Sequence, residues 1–286
     1  DIVRKSVTSH GVGSLLNLVE INWVSELEEN IGREYAFYTF LKDIRKSKHR
    51  FSWSGSKDVP EYRAYSMLIS SYYRLNLFYY FKTAFGKVLF YSFKSLFSYR
   101  ELEHFKSSNI VLHGVNEKYL DVILPLAKDI RESSNARLGI LFRTKIISKI
   151  NNTVSYKYQY LYKFNIDFIS NFREFGNQKN HIINSFPKNI DFFFREIINR
   201  IYAENIFKLS NLKSNVNSII KNRELKIFGS TNHVEEIAKM FYALCKPNNI
   251  TTFGCKRGLT SESPDNAMFF GDKLFVKSEH EKRLFI

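Results

Sequence analysis

Residues 224–258 read ELKIFGSTNHVEEIAKMFYALCKPNNITTFGCKRG, and this stretch decides the fold class. Residues 225–228 form a short apolar run that ends at a glycine, and residues 234–244 carry apolar side chains three and four positions apart, as amphipathic helices do. Pro247 ends that helix, and residues 250–253 form a second apolar run. The pattern therefore predicts a strand, a helix, a strand and a glycine-rich turn, which is typical of a parallel α/β sheet.

A second unit of the same kind lies earlier in the chain. Residues 110–112 predict a short buried strand, which His113 and Gly114 end in a turn. Residues 116–130 have the spacing of a helix, and residues 136–142 form another apolar run. A strand, a helix and a strand over this length match what a crossover between parallel strands needs.

These units predict the domain organisation. Residues 109–286 are interpreted as a Rossmann-like parallel sheet with flanking helices, and residues 1–108 as a mainly helical region rich in basic and aromatic residues. The helical interpretation rests on apolar residues with helical spacing at 14–27 and 31–44. Residues 143–223 mix helix and strand signals, so their elements stay open.

The composition limits the class of partner. The chain has 286 residues, with 43 Lys and Arg against 28 Asp and Glu, a net charge of +15. This charge favours an anionic partner such as nucleic acid, phospholipid head groups or phosphorylated and acidic sugars, although compositional bias of an AT-rich genome explains the lysine excess equally well. No apolar run reaches the roughly 18 to 20 residues that a membrane span needs, which predicts a soluble or peripheral protein.

The cysteines and the short motifs exclude several kinds of site. Cys245 and Cys255 are too few for a disulfide framework and have no metal-site spacing, so a reducing compartment and no metal site are predicted. The dinucleotide fingerprint G-x-G-x-x-G, the P-loop and the zinc motif H-E-x-x-H do not occur. Any site must therefore rest on residues at the ends of the predicted strands.

Residues 62–97 interleave aromatic and basic side chains, and three interpretations stay open. A buried helical hairpin is favoured, since tyrosine is common in cores when its hydroxyl has a partner. A basic aromatic helix can also lie in a membrane interface with its cations on anionic lipids. A base-stacking surface ranks last, because no RNA-recognition strand motif accompanies it.

Ligands of open parallel sheets bind beyond the carboxyl ends of the strands. His113 is the candidate general base there, although a histidine that only stabilises its turn is the more common case. The candidate substrate-binding or anion-binding residues follow three of the predicted strands: Gly114, Ser230, Thr231, Lys256, Arg257 and Gly258.

The end of the chain carries a family resemblance. Residues 272–282 read DKLFVKSEHEK and follow the strand, helix, strand and glycine turn described above. This order resembles the end of the N-terminal, acceptor-side half of GT-B glycosyltransferases of bacterial capsule, lipopolysaccharide and teichoic-acid synthesis. The resemblance covers residues 109–285 and is most specific over 225–285. Those families usually carry histidine before the glycine of the turn, where this chain has Arg257, which cannot act as a base but can hold a phosphate or carboxylate.

The resemblance implies a function. It implies transfer of a glycosyl or related group from a nucleotide donor to an anionic or lipid-linked, membrane-associated acceptor, with the donor as a substrate and no cofactor. It also implies that His113, Gly114, Lys256, Arg257 and Gly258 face a cleft between two halves. In that family the donor is held chiefly by a second half, and this chain stops where that half should begin. Four interpretations stay open: a fragment, a protein that needs a partner to supply the donor half, a reduced protein without transferase activity, or a resemblance to a generic α/β sheet.

The implied location is cytoplasmic, at the inner face of the membrane as a peripheral protein. The alternative function is a non-enzymatic basic protein that binds an anionic membrane surface or, ranked lower, nucleic acid.

Overall fold

The computed structural model describes residues 32–46, 52–56, 59–69, 73–96, 99–115, 119–142, 153–185, 192–222, 224–233, 235–255, 269–276 and 278. The helices of this part of the chain are α1 (Gly32–Lys46), α2 (Pro60–Ile69), α3 (Tyr73–Ser95), α4 (Tyr99–Lys106), α5 (Leu120–Ser133), α6 (Phe168–Ser185), α7 (Phe192–Ile220) and α8 (Glu236–Cys245). The strands are β1 (Ile110–His113), β2 (Leu138–Phe142), β3 (Thr153–Lys157), β4 (Ile227–Ser230), β5 (Thr251–Cys255) and β6 (Lys273–Phe275).

The six strands form one parallel sheet in the order β3-β2-β1-β4-β5-β6. The chain moves outward from β1 through β2 to β3, then crosses back to place β4 on the other side of β1. The predicted α/β class with a parallel sheet and flanking helices is confirmed. This strand order is that of Rossmann-like sheets, whose ligands bind where the order reverses, here between β1 and β4.

Alternation along the strands divides the core between the two faces of the sheet. Val111 belongs to one cluster with Phe228 and residues of α7 and α8, while Leu112 belongs to a second cluster with Ile123 of α5 and residues of β2. Successive side chains of a strand point to opposite faces, so one apolar run serves both cores. This explains why the central strands read as continuous apolar runs.

Two helices before β1, α3 and α4, pack on this sheet domain. Leu102 and Phe105 of α4 are buried in the cluster that covers one face of the sheet, and the ring of Phe105 stacks on Tyr156 of β3 at 5.5 Å. Helix α3 packs along α7. The predicted domain division at residue 108 stays a prediction.

Some elements differ from the sequence-based expectation. Strand β3 is followed by a 3-10 helix, Tyr158–Tyr162, in a region where the sequence favoured no single element. Helix α7 extends from Phe192 to Ile220, within the region 143–223 whose elements the sequence left open. The helix expected at 14–27 lies outside the described residues. Among the helices that are described, none combines the length and the apolar character needed to cross a membrane.

Candidate functional site

Strands β1 and β4 bring His113 and Ser230 together at the point where the strand order reverses. The two residues are the last of their strands and face each other in the parallel register. The chain is fixed just beyond them, because the Thr231 backbone N–H donates to the His113 carbonyl over 3.0 Å, and the Thr231 hydroxyl donates to the same carbonyl over 3.2 Å. Both strand ends therefore present their side chains at a rigid position.

The imidazole of His113 lies between a hydroxyl and a carboxylate. Its Nδ1 is 3.0 Å from Ser230 Oγ, and its Nε2 is 3.0 Å from Glu235 Oε2. Ser230 Oγ accepts a hydrogen bond from the Asn232 backbone N–H and donates to the Asn232 carbonyl, each over 3.1 Å. A hydroxyl has a single hydrogen, so this arrangement places the hydrogen of the His113 contact on Nδ1.

Burial distinguishes the members of this group. His113 is fully buried, between Tyr158 at an edge-on ring distance of 5.7 Å and Phe228 at 6.5 Å, while the side chain of Glu235 is 26% exposed. The His113 and Glu235 atoms lie at ion-pair distance without the alignment of a hydrogen bond, and neither atom bonds another group. His113 therefore reaches a bound molecule only through a neighbour, and Glu235 is the neighbour that also meets solvent.

The carboxylate of Glu235 is available for contact with His113 and solvent because it does not cap the helix α8. It occupies the residue before α8, where side chains often accept hydrogen bonds from the first free backbone N–H groups, yet it makes no such bond. The Glu235 carbonyl accepts a hydrogen bond from the Lys239 backbone N–H, and this bond begins the helix. The Glu235 carboxylate points toward His113. Glu235 and Glu236 both benefit from the positive end of the α8 dipole.

A second polar group adjoins the first. The Tyr162 hydroxyl donates to Glu236 Oε2 over 3.0 Å, and Lys208 Nζ of α7 lies 2.5 Å from the same oxygen. Burial, followed by the charges of Glu236 and Glu235, raises the pKa of Tyr162 well above its usual value. The Tyr162 hydroxyl therefore stays protonated and donates a hydrogen bond over the whole physiological pH range. Tyr162 and Lys208 both contact the carboxylate of Glu236 and hold it in place.

Of the remaining predicted site residues outside this group, the structure describes Gly114. Gly114 is buried, and a Cβ at this position would lie 2.3 Å from Ile123 Cδ1 and 3.0 Å from the ring of Phe142. Close packing accounts for this glycine. The predicted anion-binding turn of Lys256, Arg257 and Gly258 lies outside the described residues.

The sequence-based prediction missed Glu235, Glu236, Tyr158 and Tyr162. The sequence signal for the two acids was their position immediately after a strand and before an amphipathic helix, close to the predicted Ser230 and Thr231. The tyrosines gave no signal, because they come from a 3-10 helix that follows β3. Within the described residues, no cluster of three His, Cys, Asp or Glu side chains is placed to hold a metal ion.

The fold and the site define a class of protein: an α/β protein with a Rossmann-like parallel sheet and a buried histidine paired with a carboxylate at the sheet's switch point. No family model matches the chain, and neither a curated protein nor a solved structure matches it.

Proposed function

We propose that this chain is the acceptor-side half of a GT-B-like glycosyltransferase of bacterial surface polysaccharide synthesis. It transfers a glycosyl or related group from a nucleotide donor to an anionic or lipid-linked acceptor. One observation carries the proposal: a hydrogen-bonding histidine and a partly exposed carboxylate meet at the switch point, the place where Rossmann-like sheets bind ligands. The resemblance of residues 225–285 to the GT-B acceptor half supports the class of reaction.

Glu235 is the proposed general base, and His113 is its positioning residue. A base must approach the acceptor hydroxyl to about 2.6–3.2 Å, directly or through one water, and fully buried His113 has no surface for such contact. Glu235 takes the hydroxyl proton as the acceptor oxygen attacks the sugar carbon of a nucleotide sugar, from which the nucleoside diphosphate leaves, or the glycerol-bearing phosphorus of CDP-glycerol, from which CMP leaves. The buried imidazole of His113 lies behind the carboxylate of Glu235, with Nε2 3.0 Å from Oε2, and its Nδ1 contacts Ser230.

The remaining parts of the proposal follow the sequence pattern. Lys256 and Arg257 follow β5 and bind the anionic group of the donor or acceptor, since guanidinium holds phosphate through two parallel hydrogen bonds. A second half, in the same polypeptide or a partner, holds most of the nucleotide donor. The protein works at the cytoplasmic face of the membrane as a peripheral protein, where a lipid-linked acceptor is presented.

The test is a transfer assay with radiolabelled UDP-glucose, UDP-N-acetylglucosamine and CDP-glycerol, with bacterial membranes as acceptor. Glu235→Gln keeps the shape of the side chain and removes the base, so turnover falls by roughly a hundredfold or more. His113→Ala lowers turnover as well, and the double variant loses no more than Glu235→Gln alone because the two residues act in series. The control is Glu224→Gln, which keeps wild-type turnover. Glu224 lies at the amino ends of the strands, opposite the site, and pairs with Arg137.

Two results would reject this function. His113→Ala and Glu235→Gln proteins that stay folded and retain turnover within a few fold would remove both residues from the chemistry. Wild-type protein that consumes no donor in the panel, with or without a donor-binding partner, would remove glycosyl transfer.

The second candidate is a binding protein without catalysis, which the net charge of +15 favours. Binding to nucleic acid must weaken steeply with salt, because each neutralised phosphate releases counterions. An affinity for DNA and RNA that is undetectable at low salt would exclude nucleic acid and leave the anionic membrane as the partner.

A further inference from the structure

Helix α3 exposes an apolar stripe next to the side that packs on α7. Its inward side chains, Ala84, Val88 and Ser95, are buried. Its outward side carries large apolar side chains with exposed fractions of 41% to 70%: Phe85, Leu89, Phe90 and Phe93, continued by Leu96 just after the helix. Most of these residues are spaced three or four apart and form one line along the helix. Exposed apolar surface of this extent marks an interaction site.

A neighbouring loop extends the stripe. The Phe164 backbone N–H donates to Ser92 Oγ over 2.6 Å, which places the loop beside α3. Ring contacts of 5.0 to 6.4 Å then run from Phe164 through Phe168 and Phe207 to Phe85. The loop adds Phe164 and Ile166, and the first turn of α6 adds Ile169; they are 47%, 81% and 53% exposed. We call these exposed residues of α3, the loop and the first turn of α6, with Leu96, the lysine-flanked apolar face.

Positive charge borders the face. Lys82, Lys87 and Lys94 of α3 are exposed, and the sequence of the whole helix contains no Asp or Glu. The Lys94 ammonium lies 4.6 Å from the centre of the Phe90 ring, so charge and apolar surface adjoin directly. Asp167 is the acidic residue of the adjoining loop.

We propose that the lysine-flanked apolar face docks on an anionic lipid bilayer, with its leucine and phenylalanine side chains in the interface and its lysines against the lipid head groups. Apolar burial combined with lysine contacts is how amphipathic helices bind such surfaces. A second copy of the chain fits less well, because an isologous contact sets the same lysines against one another. This inference specifies the peripheral location given under Proposed function and does not require glycosyl transfer.

The face also lies close to the candidate site. Tyr91, on the inward side of α3, contacts the ring of Tyr162 at 6.2 Å, and the Tyr162 hydroxyl bonds to Glu236 beside Glu235. One layer of side chains thus separates the docking helix from the proposed base. Docking on this face holds the site near the bilayer, where a lipid-linked acceptor is embedded.

The test is co-sedimentation of the full chain with vesicles of phosphatidylcholine and phosphatidylserine in a two-to-one ratio. Exchange of Lys82, Lys87 and Lys94 for Gln lowers the affinity by roughly a hundredfold, because each lysine near an anionic surface adds about a fivefold gain. The control exchanges the exposed lysines Lys128, Lys226 and Lys246 for Gln, which changes the net charge equally and keeps most of the binding.

The apolar contribution has its own matched pair. Leu89→Ser with Leu96→Ser lowers vesicle binding by at least about tenfold. Phe40→Ser with Phe275→Ser removes equally exposed apolar side chains from other surfaces and leaves binding unchanged. Glu235→Gln also binds vesicles like wild type, so a failure of the glycosyl-transfer assay and a failure of docking are distinguishable.

Several outcomes would overturn the proposal. Equal losses in the face variants and the control variants would mean that binding follows net charge alone, and equal binding to pure phosphatidylcholine would remove the head-group contact. A fall in melting temperature for Leu89→Ser with Leu96→Ser without vesicles would show that another segment of the chain covers the face. A dimer in sedimentation that these exchanges dissociate would assign the face to a second copy.

Discussion

Gly114 sets the end of β1 through packing. The space that a Cβ would occupy already holds Ile123 Cδ1 and the ring of Phe142, and both residues are almost completely buried. Gly114→Ala must displace core side chains, so we expect it to lower the free energy of unfolding by about 1–3 kcal/mol. Urea denaturation measures this change. A variant with wild-type stability and reduced ligand binding would instead assign the glycine to the binding site.

Gly86 provides the control of opposite sign. It lies inside α3 on the exposed side, and nothing is within 4 Å of the position of an added Cβ. Alanine favours the helix over glycine, so Gly86→Ala raises the free energy of unfolding by about 0.5–1 kcal/mol. Gly114→Ala therefore measures the cost of placing a methyl group in an occupied space. Gly86→Ala measures the gain in stability from reducing the backbone freedom of the unfolded chain.

The candidate site was predictable only where the strand pattern ends. His113 and Ser230 follow apolar runs, and parallel strands align their carboxyl ends, so the sequence predicts both residues at the same end of the sheet. Their contact depends on β1 and β4 being neighbours, which only the structure shows. The role of Glu235 could not be predicted from the sequence. A residue before a helix can cap the helix or face solvent, and periodicity does not say which way its side chain turns. Only the packed structure shows that it meets His113.

A row of buried polar side chains connects α7 to its surroundings. Asn215 donates to the carbonyls of Leu161 and Lys163 over 2.9 and 2.8 Å, and Asn211 accepts from the Asn165 backbone N–H over 2.8 Å. These bonds replace water for the irregular chain after the 3-10 helix. The polar residues of α7 therefore stabilise the segment that carries Tyr162.

Loss of one member of this row should be costly. Asn215→Ala leaves the buried Leu161 carbonyl and the partly buried Lys163 carbonyl without their donor, and an unsatisfied buried group costs about 1–3 kcal/mol. We expect a loss of about 2–4 kcal/mol in the free energy of unfolding. Asn217→Ala, at a half-buried position of the same helix, should change it by less than about 1 kcal/mol. Equal effects in the two variants would show that helix propensity, not the buried bonds, decides.

Burial made the interior strands the most explicit in the sequence. Strands β1, β2, β4 and β5 lie in the interior of the sheet, and their apolar runs are explicit in the sequence. Strand β3 is an edge strand with a single buried residue, Tyr156, so its sequence has no apolar run. The sequence did not predict the full length of helix α7, because Ser, Asn and Lys occupy buried positions where helical periodicity requires apolar residues.

The buried ionisable groups of the whole molecule predict how its stability depends on alkaline pH. Burial raises the pKa of Cys245 from 9.0 to about 12 and raises those of Tyr162 and Tyr242 above 10.0. Below pH 9 these groups are protonated in both states. Above it only the unfolded chain releases the protons, so the free energy of unfolding falls as the pH rises.

Two lysines, Lys163 and Lys179, change the pH dependence of stability in the opposite direction. Burial lowers the pKa of Lys163, with a further contribution from the charge of Lys106, and burial alone lowers that of Lys179. An unfolded chain binds more protons at these lysines below about pH 10.5, so their unfavourable effect on folding declines as the pH rises toward that value. Both lysines are partly exposed, which weakens this effect, and the thiol and the phenols dominate.

We therefore expect stability that is nearly constant from pH 7 to 9 and falls steeply above pH 9. Cys245 alone accounts for about 1 kcal/mol between pH 9 and 10, because one pKa unit corresponds to about 1.4 kcal/mol. Cys245→Ala should remove that share of the slope, whereas Cys255→Ala, at a half-buried thiol with a smaller rise in pKa, should remove less. Urea denaturation of the three proteins at pH 8, 9 and 10 measures the slopes. Identical slopes for wild type and Cys245→Ala would contradict the prediction, because they would mean that the buried thiol ionises as readily in the folded protein as in the unfolded chain.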